Sequence, residues 1–315
     1  MIRIFYRQGK DILLTQSQTE FATISKENVL WIDLQDPSGE EKRAAEDFLG
    51  TRIQNRGQAE EIETSSRFYE TEGFIFANTN FLSPTGDEMS MDPVSFILTK
   101  HTLTTLREIP IRSFDLLRNK IQARPDLYAD GFNIFVEIID KRVDLDADIV
   151  ELVSQDTSQF SKRINQQEDI NEEFLLDINQ LQENAMLIRE NVVDKQRILG
   201  NVLKSDLFPD SLDKKFGVIL QDIASLINHI NFSFERLEYL QDTVVGMINL
   251  EQNRIMKTFT LISLLLMPAT LIASFYGMNV KLPFDGFRWM WLVILAVMAI
   301  LVTALVWVFR RKKFM

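Results

Sequence analysis

The sequence predicts an α/β head, a long helical stalk and a two-helix membrane domain, the stalk running directly into the first span. Three observations carry this. Residues 1–125 mix β-rich runs with a helix start, residues 126–256 hold long helical stripes, and residues 257–315 contain two long uncharged apolar stretches. Composition narrows the function. The 315 residues include no cysteine and two histidines, His101 and His229, so disulfides, thiol nucleophiles and a multi-histidine metal site within one chain are excluded. A formal charge of −11 argues against nucleic acid as a partner. The charge is also uneven. From Lys257 onward there are seven basic residues and one acid, which leaves 27 basic and 44 acidic residues, a charge of −17, on positions 1–256.

In the head, Val29–Leu34, Gly73–Ala77, Val94–Leu98 and Thr102–Leu106 are β-rich runs bounded by Pro, Gly or polar breaks. Asp36, Pro37 and Ser38 precede Gly39, Glu40 and Glu41, a helix start with acids against the positive dipole end, and that helix is expected to stop near Gly50. No Gly-rich phosphate loop, no His-Glu-x-x-His and no Gly-x-Ser-x-Gly occurs. A hydrolase is thereby left without a motif.

Beyond Pro125 the character changes. Residues 127–204 lack proline and carry a helical stripe through Phe174, Leu175, Ile178, Leu181, Leu187 and Ile188. Phe208, Pro209 and Asp210 break it. The pattern restarts at Leu212 and continues through Phe216, Ile219, Ile223, Leu226, Ile230, Leu237, Val244 and Ile248, with nothing to stop it before the first apolar stretch. This predicts one helix from about Asp210 through Tyr276, kinked at Pro268, whose ring frees the carbonyl of Leu264.

Thr258–Val280 and Trp289–Phe309 are free of charge, and each is long enough to cross a hydrocarbon core of about 30 Å. The seven residues between them, with Pro283 and Gly286, allow only a tight connection. The spans are expected at about 258–280 and 289–309. Arg310, Arg311, Lys312 and Lys313 anchor the C-terminus in the cytoplasm, and two spans put the acidic body on the same side. With no apolar signal region after Met1, the expectation is a multi-pass protein of the inner membrane with both termini cytoplasmic.

Positions spaced 3-4-3-4-3-4 in the first span read Asn253, Met256, Thr260, Ser263, Met267, Thr270 and Ser274. That is a heptad seam, the face that points at a bundle axis. Small and hydroxyl residues also serve plain helix packing. The sharper reading is a pore lining wetted by hydroxyls, with Met256 and Met267 as apolar constrictions. The span ends in Gly277, Met278 and Asn279. Gly277 releases the helix, and Asn279 offers a neutral carboxamide oxygen. Mg²⁺ prefers oxygen and dehydrates reluctantly, so a ring of such oxygens suits the hydrated ion.

On these residues the chain resembles the CorA family of divalent-cation channels. Gly246–Lys257 followed by Met267–Asn279 is similar to the family's stalk-to-pore signature, and Glu61–Tyr69 and Leu106–Glu108 are similar to segments of its head. The resemblance implies a homopentameric funnel, a transporter of Mg²⁺ and also Co²⁺ and Ni²⁺, with no organic cofactor. Five first spans would line the pore, through Asn253, Met256, Met267 and Thr270, with the second spans outside. It implies a selectivity ring of Gly277, Met278 and Asn279, and gating by intracellular Mg²⁺ held by acids between protomers. Asp222 resembles the stalk carboxylate of such a regulatory site; a solvated helix acid is the plainer alternative. The division that follows is 1–125 for the α/β domain, 126–256 for the stalk and 257–315 for the membrane domain. Its partners are other copies, divalent cations and the lipid bilayer.

One departure matters. Many relatives continue from Gly-Met-Asn into an acidic loop, whereas Val280–Arg288 holds Lys281 and Arg288 against Asp285 alone. Copies of it make a positive mouth, which repels entering cations. A Zn²⁺ transporter or an efflux relative therefore stands as an alternative, as does a non-conducting membrane-tethered sensor or scaffold. Phe259 lies beside the Met256 level and could narrow a pore there.

Overall fold

The computed structural model describes residues 1–53, 67–85, 88–166, 170–278 and 288–311. The chain forms two compact units, Met1–Asp242 and Thr243–Met315.

The first unit is built on a seven-stranded sheet: β1 (Ile2–Gln8), β2 (Asp11–Thr15), β3 (Val29–Gln35), β4 (Phe68–Thr71), β5 (Phe74–Thr85), β6 (Glu88–Leu98) and β7 (Leu103–Arg107), in the order β2-β1-β3-β7-β6-β5-β4. Among the described residues only β3 and β7 pair in parallel, Trp31 opposite Leu103 and Leu34 opposite Leu106. Every other pair is antiparallel. Two of the four β-rich runs fall within β3 and β6, and the other two overlap β5 and β7, with Gly73 and Thr102 just before the strands. β5 and β6 extend much further than expected, pairing from Ile75 opposite Leu98 to Thr85 opposite Glu88, with Pro84 and Pro93 inside them. Pro weakens a strand reading in sequence because it donates no ladder hydrogen bond. Helix α1 (Gln18–Phe21) is a single turn.

Alternation along the strands separates two cores. On one face Ile2, Ile4, Ile32 and Leu34 are buried with Ala45 of α2 (Gly39–Leu49). This helix starts where the sequence places it. Ser38 accepts from the Glu41 amide, the Glu41 side chain accepts from the Ser38 amide, and Gly50 closes the helix at φ 78°, which favours glycine. On the other face Phe5 stacks on Trp31 at 4.7 Å, and Trp31 meets Phe114 of α3 (Arg112–Ala123) at 5.8 Å.

The stretch 127–204 forms two helices, α4 (Gly131–Gln166) and α5 (Glu172–Leu203). Asn171 caps α5 by accepting from the Phe174 amide. The stripe residues Phe174, Ile178, Leu181 and Ile188 are buried, and Leu175 and Leu187 half-buried. Helix α4 starts hard against the sheet. The Gly131 amide donates to the His101 carbonyl at 2.7 Å, and a Cβ on Gly131 would stand 2.3 Å from the Leu103 nitrogen. Only glycine fits that approach.

Helix α6 runs unbroken from Asp210 to Tyr276, through Pro268, as the sequence predicts. Phe208 and Phe216 join its start to Phe132 and Phe135 of α4 in a chain of ring contacts of 5.0–5.9 Å. The second unit holds the end of α6 and α7 (Met290–Arg311). Both helices are long and apolar enough to cross a membrane, and neither apolar window is buried within the chain. Trp289 and Trp291 lie at one end of α7 and Trp307 at the other, the placement of aromatic residues at two membrane–water interfaces.

Candidate functional site

The seam residues Asn253, Met256, Thr260, Ser263, Met267, Thr270 and Ser274 all lie on α6, and all are exposed in the single chain. Met256 is 63% exposed and Met267 69%. The half-buried residues of the same stretch are Leu261, Leu265, Pro268, Ala269, Ile272 and Tyr276. At about 100° per residue these occupy the opposite side of the helix from the seam. Between Leu261 and Tyr276 the chain thus covers one face of α6 with its own atoms, and leaves open the polar face together with Ile262, Leu264, Leu266, Leu271 and Phe275.

The two threonine hydroxyls on that face are pre-set as acceptors. Thr260 Oγ1 donates to the Met256 carbonyl at 2.8 Å, and Thr270 Oγ1 donates to the Leu266 carbonyl at 2.8 Å. With the proton committed to the helix, only oxygen lone pairs remain for a ligand. A hydrated cation presents water hydrogens outward and needs such acceptors, so the face suits an ion that keeps its shell. Gly277 follows α6 in a turn, its amide donating to the Ala273 carbonyl at 2.9 Å, and Met278 is exposed. Asn279 and the Lys281 loop lie outside the described residues, as does most of Glu61–Tyr69. Asp222 is exposed on α6. Among the described residues no three His, Cys, Asp or Glu side chains converge as a metal site.

The seam is longer than the sequence reading made it. The same spacing continues back from Asn253 through Asn249, Gly246, Asp242, Tyr239, Glu235 and Phe232, every one exposed. Opposite them Ile223, Leu226, Ile230, Ser233, Leu237, Leu240 and Val244 keep their own 3-4 spacing and are buried. The signal was present in sequence, but the mixture of acid, aromatic and amide residues hides it until the buried face is known.

Of the head segments that carry the resemblance, Arg107 and Arg67 are described, and both make ion pairs within unit 1. Arg107 donates to both oxygens of buried Asp33, at 3.1 and 2.9 Å, and its guanidinium lies 4.6 Å over Phe114. Arg3 and the Thr105 hydroxyl complete the same carboxylate at 3.1 Å each. Arg67, at the start of β4, pairs with Asp194 of α5, which also accepts from Arg197. Inside unit 1, Lys195 and Arg142 share the single carboxylate of Asp146, both cations against the ring of Phe81. Glu137 of α4 accepts from Lys120 of α3 and from Lys215 of α6, the latter at 3.0 Å.

A family model described as CorA-like Mg2+ transporter protein matches residues 26–311. The chain belongs to this family. It is 32% identical over 322 residues, covering 100% of both chains, to the magnesium transport protein CorA of Wolinella succinogenes. Its fold is similar to the complete structure of the CorA magnesium transporter from Methanocaldococcus jannaschii, with a TM-score of 0.80 at 16% identity over 100% of this chain and 99% of that one. It is also similar to the full-length CmaX protein, with a TM-score of 0.75 at 14% identity over 99% of this chain and 97% of that one. The α/β head, the long helix and the C-terminal apolar helix are thus the CorA fold, and this CorA-family chain is a membrane protein.

Proposed function

We propose that the chain assembles as a homopentameric channel that takes up Mg²⁺, and also Co²⁺ and Ni²⁺, along the seam of α6. The observation that carries this is the seam itself: seven positions at strict 3-4 spacing, polar or Met, exposed in the single chain, on a helix that the sequence follows with Gly277, Met278 and Asn279. In a symmetric ring each copy turns that face to the axis. Thr260, Ser263, Thr270 and Ser274 accept from the hydrated ion, while Met256 and Met267 form collars that dewet when the ring tightens. Gly277, Met278 and Asn279 form the selectivity ring, Asn279 holding the ion through its water shell. Residues 1–125 and 126–256 make the cytoplasmic funnel, and 257–315 the inner-membrane domain, with both termini cytoplasmic. Asp222 supplies one ligand of a regulatory Mg²⁺ between copies. That ion holds the closed state, and its loss lets the copies part, a shift set by its differential affinity for the two states.

The test is Mg²⁺ influx into proteoliposomes loaded with a Mg²⁺-sensitive dye. Wild type is expected to conduct, and Asn279→Ala to abolish influx while assembly is retained, because a mouth residue supports no core. Wild-type influx through Asn279→Ala would move selectivity elsewhere. The charges of Lys281 and Arg288 against Asp285 favour a second reading, a Zn²⁺ transporter or an efflux relative. Zn²⁺ flux exceeding Mg²⁺ flux in the same vesicles would select it.

A further inference from the structure

Phe232 and Tyr239 are 65% and 69% exposed on the part of α6 that belongs to unit 1, seven residues apart, each followed three residues later by an acid, Glu235 and Asp242. A helix face left to water carries charged and polar residues; large rings recurring at heptad spacing belong to an interface. The spacing is in phase with Asn253, two heptads beyond Tyr239. The buried face opposite keeps the same 3.5-residue repeat from Phe216 to Val244, so the exposed stripe does not wander around the helix.

We propose that Phe232 and Tyr239 form two aromatic collars around the assembly's axis on the cytoplasmic side of the membrane, and that the Phe232 collar is a second barrier to hydrated cations in the closed state. The occupant of this face is the same face of other copies, which rests on the reading of the seam as a pore axis. A ring of phenyl groups excludes water, and an ion that gives up its shell reluctantly does not cross a dry ring. The Glu235 and Asp242 layers flank Tyr239 and gather cations on both sides of it. This barrier lies three heptads from Asn253, distinct from the Met256 and Met267 levels.

The native chain contains no cysteine, so single-cysteine variants report cleanly. Phe232→Cys, Tyr239→Cys, Asn253→Cys and His229→Cys, the last exposed but off the stripe, are oxidised in membranes as the full chain and run on a denaturing gel. Cross-linked dimers are expected from the first three and not from His229→Cys. Dimers from Asn253→Cys without dimers from Phe232→Cys and Tyr239→Cys would overturn the collars and leave the pore reading standing. Dimers from none would overturn both, and equal dimers from all four would overturn the collars as a specific contact. For the barrier, Phe232→Ala is expected to raise residual Mg²⁺ influx severalfold at inhibiting internal Mg²⁺, with Phe232→Leu close to wild type and the unfolding temperature of both unchanged. Residual influx unchanged in Phe232→Ala would remove the barrier role.

Discussion

Asp33 is fully buried and accepts from Arg107, Arg3 and the Thr105 hydroxyl, so two guanidiniums depend on one carboxylate. Asp33→Asn leaves buried cations without a counter-charge and is expected to cost about 3–5 kcal/mol, read by denaturant unfolding of the solubilised chain. Lys195 is the opposite case. Burial depresses its pKa in spite of the Asp146 carboxylate, and Arg142 opposes it further. Lys195→Met leaves one guanidinium for one carboxylate, so thermal unfolding is expected at the wild-type temperature or above it. Glu137 sets a pH dependence. Burial opposes its ionisation, but the Lys120 and Lys215 ammoniums outweigh burial and hold the carboxyl below the usual value of 4.5. A depressed carboxylate contributes stability that is complete above 4.5 and lost as pH falls through the folded value. Wild type should exceed Glu137→Gln in unfolding temperature at pH 7, and the gap should close under acid.

Gly131 decides how α4 meets the sheet. A methyl group there meets the backbone of Leu103 and Thr102 at 2.3 and 2.6 Å, and backbone does not yield as a flexible side chain does. Gly131→Ala is expected to destabilise by roughly 1–3 kcal/mol or more, since α4 must shift as a body. The shift would pass to α6, because Phe132 and Phe135 contact Phe208 and Phe216 at its start. In α6 the buried and exposed faces share one repeat, so a single helix serves the core of unit 1 with one side and leaves the other exposed, the side we propose meets other copies of the chain.

A charge of −17 on residues 1–256 makes any ring of these chains self-repelling unless cations lie between them. Native mass spectrometry in detergent is expected to give a multimer, with a pentamer as the main species; a monomer alone under gentle conditions would sink the ring. Channel current is expected to fall as internal Mg²⁺ rises, and Asp222→Ala to need more Mg²⁺ for the same inhibition. Current indifferent to internal Mg²⁺ in wild type would remove regulation altogether. Unchanged inhibition in Asp222→Ala would remove only that residue.

The two helices apolar enough to cross a membrane, the reach of α6 from Asp210 to Tyr276, the helix from Gly39 to Leu49 and the 3-4 spacing from Asn253 to Ser274 were all legible in the chain, because each rests on local pattern. An uncharged run of sufficient length, a capping box and a 3-4 repeat need no distant partner to declare themselves. Strands β1, β2 and β4 and the full length of the β5–β6 hairpin were not, since strand identity depends on what lies alongside, and Pro84 and Pro93 speak against it locally. Non-local contact also made Arg107 a buried partner of Asp33, 74 positions away, where its segment had read only as a family likeness. The same holds for Phe232 and Tyr239. Their spacing was in the sequence, but that they face outward followed only when Ile230, Ser233 and Leu237 were buried behind them. A periodic pattern names two faces of a helix, and packing against the rest of the molecule chooses which one is hidden.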